Sequence, residues 1–104
     1  MNEIKNITEQ ASMEHFSSMT DSIVIFYKEL CPHCKNMEKV LIKFGAKAPQ
    51  VELCSVDSEA SAELMAKLDF ERVPTLVFIK DGEIVKTQSG LMNPRELKAL
   101  HASL

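Results

Sequence analysis

The chain has no tryptophan, only three glycines and four prolines, and no long hydrophobic run in its 104 residues. So little glycine and proline excludes a collagen-like or low-complexity chain. The longest uninterrupted apolar stretch is Ile23–Tyr27. A membrane-spanning helix needs about 20 apolar residues, so no membrane partner is expected.

The chain also has no block of positive charge. Its 12 basic and 15 acidic residues give a net charge of −3. Phosphate backbones are bound by clustered Lys and Arg, so we expect no nucleic-acid partner. The segment Met1–Lys5 lacks the basic start and apolar core of a secretory signal. We therefore expect a cytoplasmic protein.

Three cysteines are too few for a disulfide framework, which a reducing compartment would not favour in any case. Two of them, Cys31 and Cys34, are separated by two residues and stand just after the apolar run and before a stretch with helical spacing. At a helix start, free backbone N–H groups and the helix dipole stabilise a negatively charged sulfur. Pro32 suits the first helical turn, where its missing N–H costs little. This context predicts a redox-active dithiol.

The hydrophobic pattern predicts the element order β-α-β-α-β-α-β-β-α. The predicted strands are Ile4–Ile7, Ile23–Tyr27, Val51–Val56, Thr75–Ile79 and Glu83–Thr87, and the predicted helix starts are Thr8, Cys31, Asp57-Ser58 and Asn93. Helices that alternate with strands favour parallel pairing, and the Asp81-Gly82 turn adds an antiparallel hairpin. We expect one α/β domain over residues 1–104, with a mixed sheet covered by helices on both faces. The first helix is expected to run to about Ser18, and Gly45 to end the second.

Several motifs occur together in this order: Cys-x-x-Cys at a helix start, Val73-Pro74-Thr75 about forty residues later, the Lys80–Glu83 hairpin and Ser89-Gly90. With these motifs the chain resembles the thioredoxin family over essentially its whole length. The resemblance implies a thioredoxin fold and thiol–disulfide exchange with protein substrates. It also implies electrons from a donor like thioredoxin reductase, no bound cofactor or metal, and a monomer.

Within this scheme Cys31, at the helix start, is expected to attack, and Cys34, one turn further in, to resolve the mixed disulfide. The resemblance implies that Pro74 is cis and that the backbone of Val73 pairs with an extended substrate. The expected substrate groove consists of Leu30, Pro32, His33, Val73, Pro74, Gly90 and Leu91.

The dipeptide between the cysteines is Pro32-His33, whereas thioredoxins usually have Gly-Pro. Cys-Pro-His-Cys resembles the active site of DsbA, the strong disulfide donor of bacterial periplasms, although 104 residues leave no room for its helical insertion. A donor at His33 would stabilise the Cys31 thiolate. Each 1.4 kcal/mol of such stabilisation raises the reduction potential by about 30 mV. We therefore expect a couple less reducing than an ordinary thioredoxin, and a protein disulfide oxidase or isomerase is the alternative.

Three further positions depart from the family pattern. Ile25 and Leu53 stand where thioredoxins usually keep a buried Asp and Lys, which are thought to help move a proton from the second thiol. Leu30 replaces the usual Trp before the first cysteine.

Two other functions remain open from the residues alone. One is a redox-inactive binding module with the same fold. The other is a metal site, for which only His33 and Cys54 could join the close pair, and no second pair exists. Cys54, set among strand residues, is expected to fill the core, and His101 is assigned no functional role.

Overall fold

The computed structural model describes residues 3–104. Its strands are β1 (Ile4–Asn6), β2 (Asp21–Tyr27), β3 (Glu52–Asp57), β4 (Thr75–Lys80) and β5 (Glu83–Ser89). Its helices are α1 (Met13–Phe16), α2 (Pro32–Lys47), α3 (Ala62–Lys67) and α4 (Pro94–Ala102), with a 3₁₀ turn over Ser58–Ala60. The predicted order of strands and helices is confirmed.

The five strands form one mixed sheet in the order β1-β3-β2-β4-β5. β3 is parallel to both β1 and β2, while β4 is antiparallel to β2 and β5. The parallel pairs are joined through helices, and the antiparallel pair β4–β5 by a tight turn, as the alternating pattern predicted. This arrangement places β2 in the middle, with its carboxyl end pointing to the start of α2.

Consecutive residues of β2 face opposite cores. Val24 and Phe26 belong to the core under α1 and α3, whereas Ile23 and Ile25 belong to the core under α2 and α4. All four side chains are inaccessible to solvent. A strand covered on both faces is uniformly apolar, which explains why this segment was recognisable in the sequence.

The β4–β5 hairpin turns at the predicted dipeptide. Asp81 has φ 51° and Gly82 has φ 79°, and two consecutive positive φ values match the twist of the flanking strands. A Cβ atom on Gly82 would lie 2.5 Å from the Ser17 carbonyl oxygen. The hairpin therefore packs directly on the segment that follows α1.

The predicted first helix is wrong in its start and length. α1 is a single turn capped by Ser12, whose hydroxyl accepts the N–H of His15 at 2.9 Å. The predicted cap, Thr8, is engaged elsewhere: its Oγ1 accepts the N–H of Asp57 at 2.9 Å and donates to Asn6 Oδ1 at 2.7 Å. A long-range contact to β3 has replaced the local cap.

Two other predicted helix boundaries are also wrong. α2 continues past Gly45 to Lys47, because buried Phe44 and Ala48 keep its last turn packed on the core. Asp57 does act as a cap, with Oδ1 accepting the N–H of Glu59 at 2.9 Å, but it caps the 3₁₀ turn. α3 begins only at Ala62.

The start of α4 has the predicted capping box. Asn93 Oδ1 accepts the N–H of Glu96 at 2.8 Å, and Glu96 Oε1 accepts the N–H of Asn93 at 3.0 Å. At its other end, His101 Nε2 lies 2.9 Å from Asp21 Oδ1, and its ring packs edge-on against Phe44. His101 therefore has a structural role that the sequence did not reveal, because it joins α4 to the start of β2.

Candidate functional site

Cys31 occupies the N-cap position of α2. Its backbone is extended, with φ −109° and ψ 104°, and its Sγ accepts the N–H of Cys34 at 3.2 Å. Pro32 follows in the first turn. A sulfur thus takes the place usually held by a capping oxygen, where free N–H groups and the helix dipole favour negative charge.

The two thiols of this turn differ in exposure and acidity. Cys31 is half-buried, whereas Cys34 is 1% exposed. Burial, and after it a hydrogen bond with Cys31, raise the pKa of Cys34 to about 11, against an opposing backbone hydrogen bond with Lys28. At neutral pH Cys34 is therefore a protonated thiol, and Cys31 is the sulfur that a partner can reach.

The dipeptide between the cysteines faces solvent. Pro32 and His33 are both exposed. No hydrogen bond joins the His33 ring to Cys31 within residues 3–104. Any effect of His33 on the Cys31 sulfur in this conformation therefore acts through space and through the helix turn.

A second segment lies at the same end of the sheet as Cys31. Phe26, near the end of β2, is paired with Thr75 at the start of β4, so the preceding Val73–Pro74 bond lies beside the β2–α2 connection. That peptide bond is cis, as the family resemblance implied. Pro74 is buried, and half-buried Val73 packs against the core on the α3 side.

A third segment follows β5. The N–H of Gly90 donates to the Pro74 carbonyl at 3.0 Å, and the N–H of Met92 donates to Met37 Sδ in α2 at 3.4 Å. Gly90 has φ 92°, and a Cβ there would meet nothing within 4 Å. These bonds hold the turn between β5 and α4 against both the Pro74 segment and the second turn of α2.

The residues expected to form the groove therefore lie at one edge of the molecule. Two large apolar side chains flank it in solvent, since Leu30 is 95% exposed and Leu91 is 53% exposed. Leu30 has a positive φ of 58°, in the connection that leads to Cys31. An exposed apolar rim around a reachable sulfur is suited to contact with a partner protein.

Sequence reasoning missed two groups at this site. Met37 positions the segment after β5, and Glu38 carries a negative charge that raises the pKa of Cys34. Both lie one turn beyond Cys34 on α2. Their spacing of three and four residues was the available signal, since such residues are neighbours on a helix surface.

The third cysteine is separate from this site. Cys54 lies in β3 and is fully buried, and burial raises its pKa to about 12. It fills the core as predicted. Over residues 3–104 no group of three His, Cys, Asp or Glu side chains is arranged to hold a metal ion. None of the helices in that range is long and apolar enough to span a bilayer.

The sequence was compared with family models and with known proteins, and the matches below all name the same family. A family model described as Thioredoxin matches residues 3–103. The chain is 30% identical over 94 residues to a thioredoxin from Chlamydia trachomatis, covering 88% of this chain and 92% of that protein. It is 24% identical over 98 residues to a thioredoxin from Mycoplasmoides gallisepticum, covering 93% and 98%.

A solved structure is closer in sequence. The solution structure of desulfothioredoxin from Desulfovibrio vulgaris Hildenborough in its reduced form is 65% identical. The match covers 100% of both chains with a TM-score of 0.92. The similarity therefore includes every element described above.

Proposed function

The chain belongs to the thioredoxin family and has the fold and thiol–disulfide oxidoreductase character of that family, and from this we propose that Cys31 and Cys34 are its reactive pair. The observation that carries the proposal is the position of Cys31 Sγ at the N-cap of α2, 3.2 Å from the Cys34 nitrogen. Thiolates, not thiols, carry out disulfide exchange, and this position favours the thiolate.

In the reductive direction, the Cys31 thiolate attacks one sulfur of a substrate disulfide. A bond forms between Cys31 and that sulfur, and the other substrate sulfur leaves as a thiolate and takes up a proton. Cys34 then loses its proton and attacks Cys31, which forms the Cys31–Cys34 disulfide and releases the second substrate thiolate. Two electrons pass to the substrate, and a donor like thioredoxin reductase would return them.

Substrate proteins would bind along the edge described above. The cis Val73–Pro74 segment offers backbone groups to an extended chain, and Leu30, Gly90 and Leu91 border it. Pro32 would begin the first turn of α2, where its missing N–H costs little and its fixed φ suits a helix start. Recognition of this kind depends on backbone and apolar contact, which suits several substrates.

We further propose a couple less reducing than that of an ordinary thioredoxin. The support is the exposed His33 inside the pair, whose ring would stabilise the reduced, charged form of Cys31 through space. About 4 kcal/mol of thiolate stabilisation would raise the potential by about 90 mV. The same feature favours the second candidate function, a protein disulfide oxidase or isomerase of the DsbA kind. We propose that the protein acts as a cytoplasmic monomer.

Trapping of mixed disulfides tests the assignment of the pair. We expect Cys34→Ala to accumulate covalent adducts with a disulfide-bonded protein such as insulin, because the resolving thiol is gone. Cys31→Ala should form none, and Cys54→Ala, the matched control, should turn over like the wild type. Adducts are counted on non-reducing gels and by mass.

Adducts that persist in Cys31→Ala would overturn the assignment of the attacking sulfur. Full biological activity in a Cys31→Ser/Cys34→Ser double variant would instead favour the redox-inactive binding module.

A further inference from the structure

The resolving step needs a proton acceptor near Cys34. That thiol is 1% exposed, and burial keeps it protonated with a pKa of about 11. Ile25 and Leu53, which stand where thioredoxins usually keep a buried Asp and Lys, are buried apolar residues of one core cluster and cannot accept a proton. The solvent-facing cleft beside Cys34, by contrast, is lined by titratable side chains.

Glu38 lies on that side. It is four residues after Cys34 on α2, so the two Cβ atoms are about 5–6 Å apart on one helix face. Glu38 is half-buried, and it lines a cleft of about 470 Å³ together with Cys34. The cleft has room for water, which can bridge groups that do not touch directly.

The other charged groups that face this cleft are less suited to the task. Lys28, Lys35 and Lys39 line it, but an ammonium group cannot accept a proton. Glu29 also lines it and is exposed, yet the carboxylate whose charge acts on the Cys34 thiol is that of Glu38. Tyr27 also lines the cleft, but the hydrogen-bond partner of its hydroxyl is Asn6 Nδ2, at 2.9 Å, and neither cysteine.

We propose that Glu38 is the general base of the resolving step, taking the proton of Cys34 through the water of this cleft. This inference rests on the proposed exchange function of the Cys31/Cys34 pair. As the Cys34 S–H bond breaks, its proton passes to the Glu38 carboxylate and its electron pair forms the bond to Cys31 Sγ. The bond between Cys31 and the substrate sulfur breaks, and the departing thiolate receives the proton back from Glu38 or from solvent.

A chromogenic disulfide separates this step from the first attack. When the reduced protein meets an aromatic nitrobenzoate disulfide in a stopped-flow instrument, attack by Cys31 releases one coloured thiolate. Attack by Cys34 then releases the second, in a phase that does not depend on reagent concentration. We expect Glu38→Gln to leave the first phase within about twofold and to slow the second about tenfold or more at neutral pH.

The sign of the change distinguishes a base from a mere neighbouring charge. Loss of the Glu38 charge lowers the pKa of Cys34, so a purely electrostatic role would make the second phase faster. A base predicts the opposite. It also predicts a second phase nearly independent of pH around neutrality in the wild type, rising about tenfold per pH unit in Glu38→Gln, where hydroxide must take the proton.

The controls keep the outcomes separate. Glu83→Gln removes the same charge at the opposite end of the sheet and should change neither phase. Glu38→Asp keeps a carboxylate and should recover part of the rate, and thermal unfolding shows whether each variant is folded. A second phase that is unchanged or faster in Glu38→Gln would refute the role of Glu38 and leave the exchange function intact. A wild type that never releases the second thiolate would overturn both.

Discussion

At the residue scale, chemical difference within one helical turn arises from position alone. Cys31 and Cys34 are the same amino acid three residues apart, yet one caps the helix at the surface and the other is closed off beneath it. Burial disfavours the charged form of the second sulfur, while the helix start favours that of the first. The attacking and resolving roles that we propose for the two cysteines rest on this asymmetry.

His33 gives the first prediction at this scale. We expect His33→Leu to make the couple more reducing by about 30 mV for each 1.4 kcal/mol of thiolate stabilisation lost, and by up to about 90 mV in total. The potential is measured from the fraction of dithiol in glutathione buffers of known poise. His15→Leu, on the distant α1, serves as the control. A potential equal in His33→Leu and wild type would show that the dipeptide does not set the direction of exchange.

At the element scale, short-range geometry decides how the pieces join. The hairpin turn at Asp81-Gly82 and the capping box of α4 are formed by residues close in sequence. By contrast, the contact between Gly82 and Ser17 joins a turn to a helix end 65 positions earlier, as their residue numbers show. Local sequence therefore determines where a helix or turn forms, and packing against a segment distant in sequence stabilises it.

Two glycines provide a matched test of that statement. Both Gly82 and Gly90 have positive φ, so alanine costs about 1–2 kcal/mol of backbone strain at either position. Only at Gly82 would the new Cβ also meet a backbone oxygen, at 2.5 Å. We expect Gly82→Ala to lower the free energy of unfolding by clearly more than Gly90→Ala, as measured by denaturant titration. Equal losses would mean that the hairpin can shift away from Ser17 without cost.

At the scale of the whole molecule, two buried thiols link stability to pH. The pKa values of Cys34 and Cys54 are raised to about 11 and about 12, above the value near 8.5 of a thiol in the unfolded chain. The folded state therefore holds these protons more tightly. Their contribution to stability is complete below pH about 8.5 and is lost as the pH rises through the two folded-state values.

Alkaline unfolding tests this linkage. Between pH about 9 and about 11, each protonated thiol makes the free energy of unfolding fall by about 1.4 kcal/mol per pH unit. Cys54→Ala removes one of them, so we expect a lower stability at neutral pH but a decline that is shallower by about that amount per pH unit. Denaturant titrations of the reduced proteins at a series of pH values measure both. Parallel curves for the two proteins would show that Cys54 titrates freely in the folded state.

Much of the fold could be predicted because its signals are local. The uniform apolar run of β2, the Asp81-Gly82 turn and the Asn93 cap each depend on residues within a few positions. The predicted helix boundaries were wrong where a contact with residues distant in sequence determined the structure. Thr8 bonds to the N–H of Asp57, and the last turn of α2 continues past Gly45 because Phe44 and Ala48 are covered by the core.

By itself, the order of amino acids determined the strands, the helix that starts at the paired cysteines, and the placement of two thiols one turn apart. Only the tertiary structure decided how completely Cys34 is buried, that Gly90 bonds to Pro74, and that Glu38 shares a cleft with Cys34. The reason is physical. Propensity, caps and turns act over a few residues, whereas desolvation and the approach of charges depend on elements that are far apart in sequence and meet only when the sheet is formed.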